Sequence, residues 1–150
     1  MHIRQATVAD VAEMHRVRTS VRENRLGDPA WIQPHDYEAM LTERGRGWVV
    51  EVDGRIVGFA VADASRMNVW ALFVDPDVEG HGVGRRLHDA MMEWFFAEAG
   101  AERVWLSTDP GTRAERFYQA AGWRHAGPEP NGEARYELSR EQWTGQGGSV

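Results

Sequence analysis

The sequence predicts a mixed α/β fold, an α+β arrangement with one mixed sheet and helices on both of its faces. Three observations carry this. Short runs rich in β-branched and aromatic residues alternate with amphipathic stretches at helical spacing. Asp53-Gly54 joins two of those runs as a two-residue antiparallel hairpin. The later order is strand, helix, strand, helix, strand, which brings a crossover into the same sheet. A chain of 150 residues with 42% hydrophobic and 27% charged content folds by itself around one core. Residues 1–144 are expected as a single domain and 145–150, glycine-rich, as a disordered tail.

Taken in order, Ile3 to Ala6 is a short extended start. Thr7-Val8-Ala9-Asp10 matches a capping box, and Val11, Met14, Val17 and Val21 follow on one helical face. From Glu23 to Tyr37 the periodicity fails, and Gly27, Pro29 and Pro34 mark loop or short helix. A brief helix around 36–44 leads into the Trp48–Val52 and Arg55–Val61 hairpin strands. Val69 to Val74 reads as a mostly buried strand that stops at Asp75-Pro76. After a glycine-rich turn, Val83, Leu87, Met91, Trp94 and Phe95 share a helix face, and Gly100 stands at its C-terminal end. Val104–Ser107 is a further strand. Ala114, Phe117, Tyr118 and Ala121 mark a helix ending at Gly122, and two closing strands cover 123–126 and 135–138.

Composition excludes several chemistries. With no cysteine there is no disulfide, no thiolate metal site and no covalent cysteine nucleophile. The net charge of −6 offers no broad basic face, so no nucleic-acid partner is expected. No run approaches the roughly 18 apolar residues of a membrane span, and the start lacks a signal-peptide pattern, so the expectation is no membrane partner and a cytoplasmic location. All 17 basic residues are arginine. The seven tryptophans should supply core or interface area, or the wall of an organic-ligand pocket. The six histidines are scattered without a helical i, i+4 pair, so no metal is expected.

The chemistry concentrates in Asp75-Pro76-Asp77-Val78-Glu79-Gly80-His81-Gly82-Val83-Gly84-Arg85-Arg86, between a strand and a helix. Three glycines at alternate positions let the backbone approach a ligand closely. The helix start adds unpaired N–H groups and a positive dipole end, a combination that suits phosphate. Three other motifs fail on these residues. A Walker loop needs Gly-Lys-Ser/Thr, and Gly84 is followed by Arg85 and Arg86. A dinucleotide fingerprint starting at Gly80 would need glycine at position 85. A calcium loop opening at Asp75 would need glutamate where Arg86 stands.

Leu72-Phe73-Val74-Asp75-Pro76 running into Glu79-Gly80-His81-Gly82-Val83-Gly84 resembles the pyrophosphate loop of the GNAT superfamily of N-acetyltransferases, Gln/Arg-x-x-Gly-x-Gly/Ala. Downstream, Ala114-Glu115-Arg116-Phe117-Tyr118-Gln119-Ala120-Ala121-Gly122-Trp123 is similar to that family's Ala-x-x-Phe-Tyr-x-x-x-Gly-Phe signature. With the order of elements, the resemblance spans roughly residues 3–140.

The resemblance implies a GNAT-like acyl-CoA N-acyltransferase fold, a mostly antiparallel sheet with one splayed parallel pair. It also implies direct transfer of acetyl from acetyl-CoA, as co-substrate, to a primary amine of a small molecule or peptide in a ternary complex. Cofactor binding then falls to Leu72, Phe73, Val74, Glu79, Gly80, His81, Gly82, Val83, Gly84, Arg85, Gly111, Ala114, Phe117 and Tyr118. Tyr118 takes the general-acid position, and the backbone N–H of Val74 or a near neighbour polarises the thioester carbonyl. Two departures stand out. Glu79 replaces glutamine or arginine and brings a carboxylate to the phosphate site, to be offset by solvent, Arg85 or Arg86. Gly111 replaces a common asparagine.

The acceptor amine and the general base stay open. Residues 69–74 contain no acid, and Asp63, Asp109 and Glu137 are the candidates at strand ends. The acceptor site is expected from Arg22-Glu23-Asn24-Arg25 through Trp31 and Tyr37, whose mixed charge names no substrate. A homodimer is a family expectation. The alternatives are a noncatalytic acyl-CoA sensor and a loop for another nucleotide.

Overall fold

Residues 1–21 and 32–147 are described in a computed structural model of the chain. Their strands form one seven-stranded sheet in the order β1-β2-β3-β4-β5-β7-β6. All neighbours are antiparallel except β4 and β5.

β1 (His2–Gln5) delivers the chain to a 3₁₀ turn and then α1 (Val11–Ser20). The expected capping box is present: the Thr7 N–H donates to Asp10 Oδ2 at 2.8 Å. Arg4 forks onto the same carboxylate with two bonds of 2.9 Å. Val21, placed on the helix by periodicity, is instead extended and closes it. The brief helix expected around 36–44 resolves into α2 (Pro34–Ala39) and a π turn (Met40–Arg44). Pro34 at the first position starts it early, because its missing N–H costs nothing there.

β2 (Gly45–Val52) and β3 (Arg55–Asp63) pair through Asp53 and Gly54, both left-handed with φ of 52° and 76°, as a primed hairpin turn requires. β2 begins three residues before Trp48, at Gly45, where a Cβ would overlap the Ala62 carbonyl oxygen and only glycine allows the strands to approach. α3 (Val83–Ala97) lies on β3 at Gly58, where a Cβ would stand 2.8 Å from Val83 Cγ1.

The two faces of the sheet carry separate cores. Phe59, Val61 and Val49 pack with Met14, Val17 and Tyr37 of α1 and α2. Ala60, Val50 and Val57 pack with Leu87, Met91 and Phe95 of α3, and this core continues through Leu106, Leu138 and Trp123. Helices thus cover both faces, as the patterning predicts.

β4 (Asn68–Val74) and β5 (Arg103–Thr108) share one parallel pair, Asn68 with Trp105. The register against β3 slips between Val61 and Ala62, leaving Trp70 of β4 as an extra residue. Such a bulge bends its strand, and β4 diverges from β5 from there on. α4 (Arg113–Ala120) follows β5, and β6 (Arg124–Pro128) and β7 (Ala134–Ser139) close the sheet. A last helix, α5 (Arg140–Gly147), runs three residues into the stretch expected as a tail; residues 148–150 lie outside the described residues. Its start was legible as Ser139-x-x-Gln142, since Ser139 Oγ accepts from the Gln142 N–H at 3.2 Å while Gln142 Oε1 accepts from the Ser139 N–H at 3.0 Å.

Candidate active site

The split between β4 and β5 opens a cavity of about 520 Å³ on one side and one of about 180 Å³ on the other. Leu72, Phe73, Ala114 and Tyr118 belong to both walls. Beyond Asn68, the β5-facing edge of β4 has no ladder partner among the described residues.

The glycine-rich turn forms one end of the larger cavity. Gly80 and Gly82 have φ of 84° and 80°, a conformation open to glycine at little cost. Gly82 caps α3 without any side chain filling the cap, and the first helical bond is Arg86 N–H to the Gly82 carbonyl at 3.1 Å. The N–H groups just before Arg86 are therefore available to an anion at the positive end of the helix dipole.

Of the residues predicted to bind cofactor, Leu72, Phe73, Val74, Glu79, Gly80, Gly82, Val83, Gly84, Arg85, Ala114, Phe117 and Tyr118 line this cavity. His81 and Gly111 do not. His81 is exposed on the outside of the turn. Gly111 turns its N–H to Glu115 Oε1 at 2.8 Å. That bond, with the Tyr136 hydroxyl donating to the other carboxylate oxygen, holds the Glu115 carboxyl below its ordinary range.

The wall also includes Arg113, Val21, Pro76 and Val78, which sequence reasoning missed. Arg113 matters most, because its guanidinium pairs with Glu79 at 3.3 Å. For Glu79 the expected offsets are solvent, Arg85 or Arg86, but the ion pair forms with Arg113, and Arg85 is engaged with Asp89 at 3.0 Å. The available sequence signal was an arginine immediately before Ala114 of the second motif.

Tyr118 sits where the two cavities meet. It is 6% exposed, and burial alone pushes its phenol well above the ordinary value near 10. No hydrogen bond within the described residues acts on the phenol, so the neutral O–H is available to a ligand.

The three acids left open at the sequence level separate cleanly. Asp63 is 1% exposed and held by Arg44 at 2.8 Å and by Ser65. Glu137 lies between Arg103 at 3.3 Å and Arg135 at 3.1 Å. Of the three, Asp109 alone lines either of these two cavities, the smaller one, together with Tyr118, Ser107, Glu133 and Arg18. Its carboxylate makes no hydrogen bond or ion pair among the described residues. Tyr37, expected at the acceptor site, is instead fully buried against Trp70 and Phe59, with its hydroxyl 2.9 Å from His15 Nδ1. The expected acceptor residues Arg22–Trp31 lie outside the described residues.

The site is a seven-stranded mixed sheet parted at one parallel pair, with an uncapped helix start on one side of the gap and a buried tyrosine in it. The family model of the acetyltransferase (GNAT) family matches residues 9–123, and the chain belongs to that family. An uncharacterized N-acetyltransferase of Archaeoglobus fulgidus is 29% identical over 148 residues, covering 88% of this chain and 97% of that one. Among solved structures, the ribosomal-protein-alanine N-acetyltransferase of Brucella melitensis has a TM-score of 0.76 at 19% identity, covering 93% of this chain and 99% of that one. The PaiA N-acetyltransferase of Thermoplasma acidophilum, solved with coenzyme A, has a TM-score of 0.71 at 13% identity, covering 92% and 98%. Among the described residues no helix is long and apolar enough to cross a membrane.

Proposed function

We propose that this acyltransferase moves the acetyl group of acetyl-CoA directly to a primary amine of a small molecule or peptide. The observation that carries the reading is the position of Tyr118 in the walls of both cavities, the place where a donor on one side meets an acceptor on the other. The residues present fit the co-substrate. The Gly80–Gly84 turn and the uncapped start of α3 suit its pyrophosphate, and the open edge of β4 suits the amides of its pantetheine arm. Bound there, acetyl-CoA supplies the activated acyl group.

Backbone N–H groups near Val74 then stabilise the oxyanion that develops as the amine attacks the thioester carbonyl. Asp109 takes the proton that the amine nitrogen loses as its bond to carbon forms. Tyr118 gives its proton to the departing sulfur as the carbon–sulfur bond breaks. Burial keeps the phenol protonated until that moment.

Calorimetric titration with acetyl-CoA, followed by thiol release against a panel of small amines and amino-terminal peptides, tests the reading. Binding with release for one acceptor class is expected. Binding without release for any acceptor would favour an acyl-CoA sensor, and preference for ATP or NAD over CoA would overturn the assignment.

A further inference from the structure

We infer that His88 is a positioning residue for the transfer: through the indole of Trp123 it fixes the place of Tyr118. The inference rests on the reading of Tyr118 as the proton donor. His88 is 0% exposed on α3, and neither cavity includes it. Both ring nitrogens of this buried imidazole are instead engaged within the protein.

The Trp123 Nε1–H can only donate, and it donates to His88 Nε2 at 2.9 Å. The imidazole proton therefore resides on Nδ1, which gives it to Asp89 Oδ1 at 2.8 Å. Asp89 is anchored in turn by Arg85, 3.0 Å away, whose side chain lines the larger cavity. Burial disfavours the charged imidazole, in keeping with this neutral tautomer. The ring is packed edge-on by Phe117 at 5.7 Å, Trp123 at 6.1 Å and Trp143 at 5.9 Å, so it has one seat.

Trp123 passes that constraint to Tyr118 twice. Its ring meets the tyrosine ring edge-on at 5.5 Å, and its backbone N–H donates to the Tyr118 carbonyl at 3.1 Å. Burial is the single influence on the Tyr118 phenol and no hydrogen bond within the described residues acts on it, so packing aims the hydroxyl. The family signature carries phenylalanine at this position, which offers no N–H to hold. In this chain the indole of Trp123 makes the clamp possible, and His88 is its other half.

Nuclear magnetic resonance on the full-length protein tests the geometry first. The His88 imidazole should be neutral with its proton on Nδ1, and the Trp123 indole proton should exchange slowly. A proton on Nε2, or a freely exchanging indole, would overturn the inference. Kinetics then test its consequence, using acetyl-CoA with n-butylamine and with water as acceptors. His88→Asn keeps the donor to Asp89 and strands the indole. It should lower kcat about tenfold with KM for acetyl-CoA within twofold. His88→Gln, whose Oε1 stands near the place of Nε2, should return kcat to within threefold of wild type. In a Tyr118→Phe background, His88→Asn should cost nothing further. A kcat unchanged by His88→Asn, or a loss that persists in full in that background, would defeat the role of His88 while leaving Tyr118 as the acid. An unchanged kcat in Tyr118→Phe alone would defeat the reading beneath it.

Discussion

Arg113, at the start of α4, reaches Glu79 of the glycine-rich turn at 3.3 Å, and both side chains line the larger cavity. The carboxylate that replaces glutamine or arginine thus has a counter-charge from the residue just before the second motif. Removing Arg113 leaves a bare carboxylate beside the pyrophosphate site. Arg113→Ala should weaken acetyl-CoA binding about tenfold, roughly 1.4 kcal/mol, and more at low salt. The same change in a Glu79→Gln background should cost less. Both side chains are substantially solvent-accessible, so the melting temperature should hardly move. Calorimetric titration of the four proteins gives the coupling.

Tyr118→Phe removes one oxygen from a residue that is 6% exposed. Because no hydrogen bond within the described residues acts on that oxygen, the fold should lose little. Turnover should fall tenfold or more, since acid–base catalysis typically contributes about 10²–10⁴, while acetyl-CoA affinity stays constant. Steady-state kinetics beside a binding titration separates the two effects.

Gly82→Trp probes the phosphate end. No atom lies within 4 Å of a Cβ built at Gly82, so a large side chain projects into open space at the cavity. Its φ of 80° makes any side chain strained there, at about 1–2 kcal/mol. Acetyl-CoA affinity should fall at least tenfold with the fold retained; wild-type affinity would remove the turn from the site.

The clasp between Arg4 and Asp10 sets an acid limit on stability. Hydrogen bonds from Arg4, ahead of any other cause, hold the Asp10 carboxyl below its usual value. A carboxyl whose folded pKa lies below its unfolded one carries fewer protons folded than unfolded. Its stabilisation is therefore complete above the unfolded value of about 3.9 and disappears as pH falls through the folded one. Asp10→Asn should lower stability at pH 7 by about 1–3 kcal/mol, the usual range for a charged hydrogen bond. It should also flatten the wild-type decline below about pH 4. Urea unfolding across pH 2–7 provides the measurement.

Much of this molecule is written in local pattern. The capping box at Thr7, the Asp53-Gly54 turn, the β-branched run Arg55–Val61 and the face of α3 are short-range signals, because helix and strand propensities act over a few residues. The glycine-rich turn and the Phe117-Tyr118 motif were legible for the same reason, and twelve of the fourteen predicted cofactor residues, all but His81 and Gly111, line one cavity. The misses at helix ends, such as Val21, arise where a single backbone angle decides and periodicity is silent.

Tertiary structure decided the rest. His88 meets Trp123 across 35 residues of chain, and Asn68 meets the Trp105 carbonyl across 37. Which acid faces the cleft was equally beyond pattern, since Asp63, Asp109 and Glu137 all stand at or near strand ends and only packing tells Arg44's partner from the cavity wall. By itself the sequence determined the elements, their order and the residue types available for chemistry. Sheet order, the bulge at Trp70 and the parting of β4 from β5 then chose which of those residues meet. Side-chain encounters across a fold depend on where the backbone carries them, and no local period encodes that.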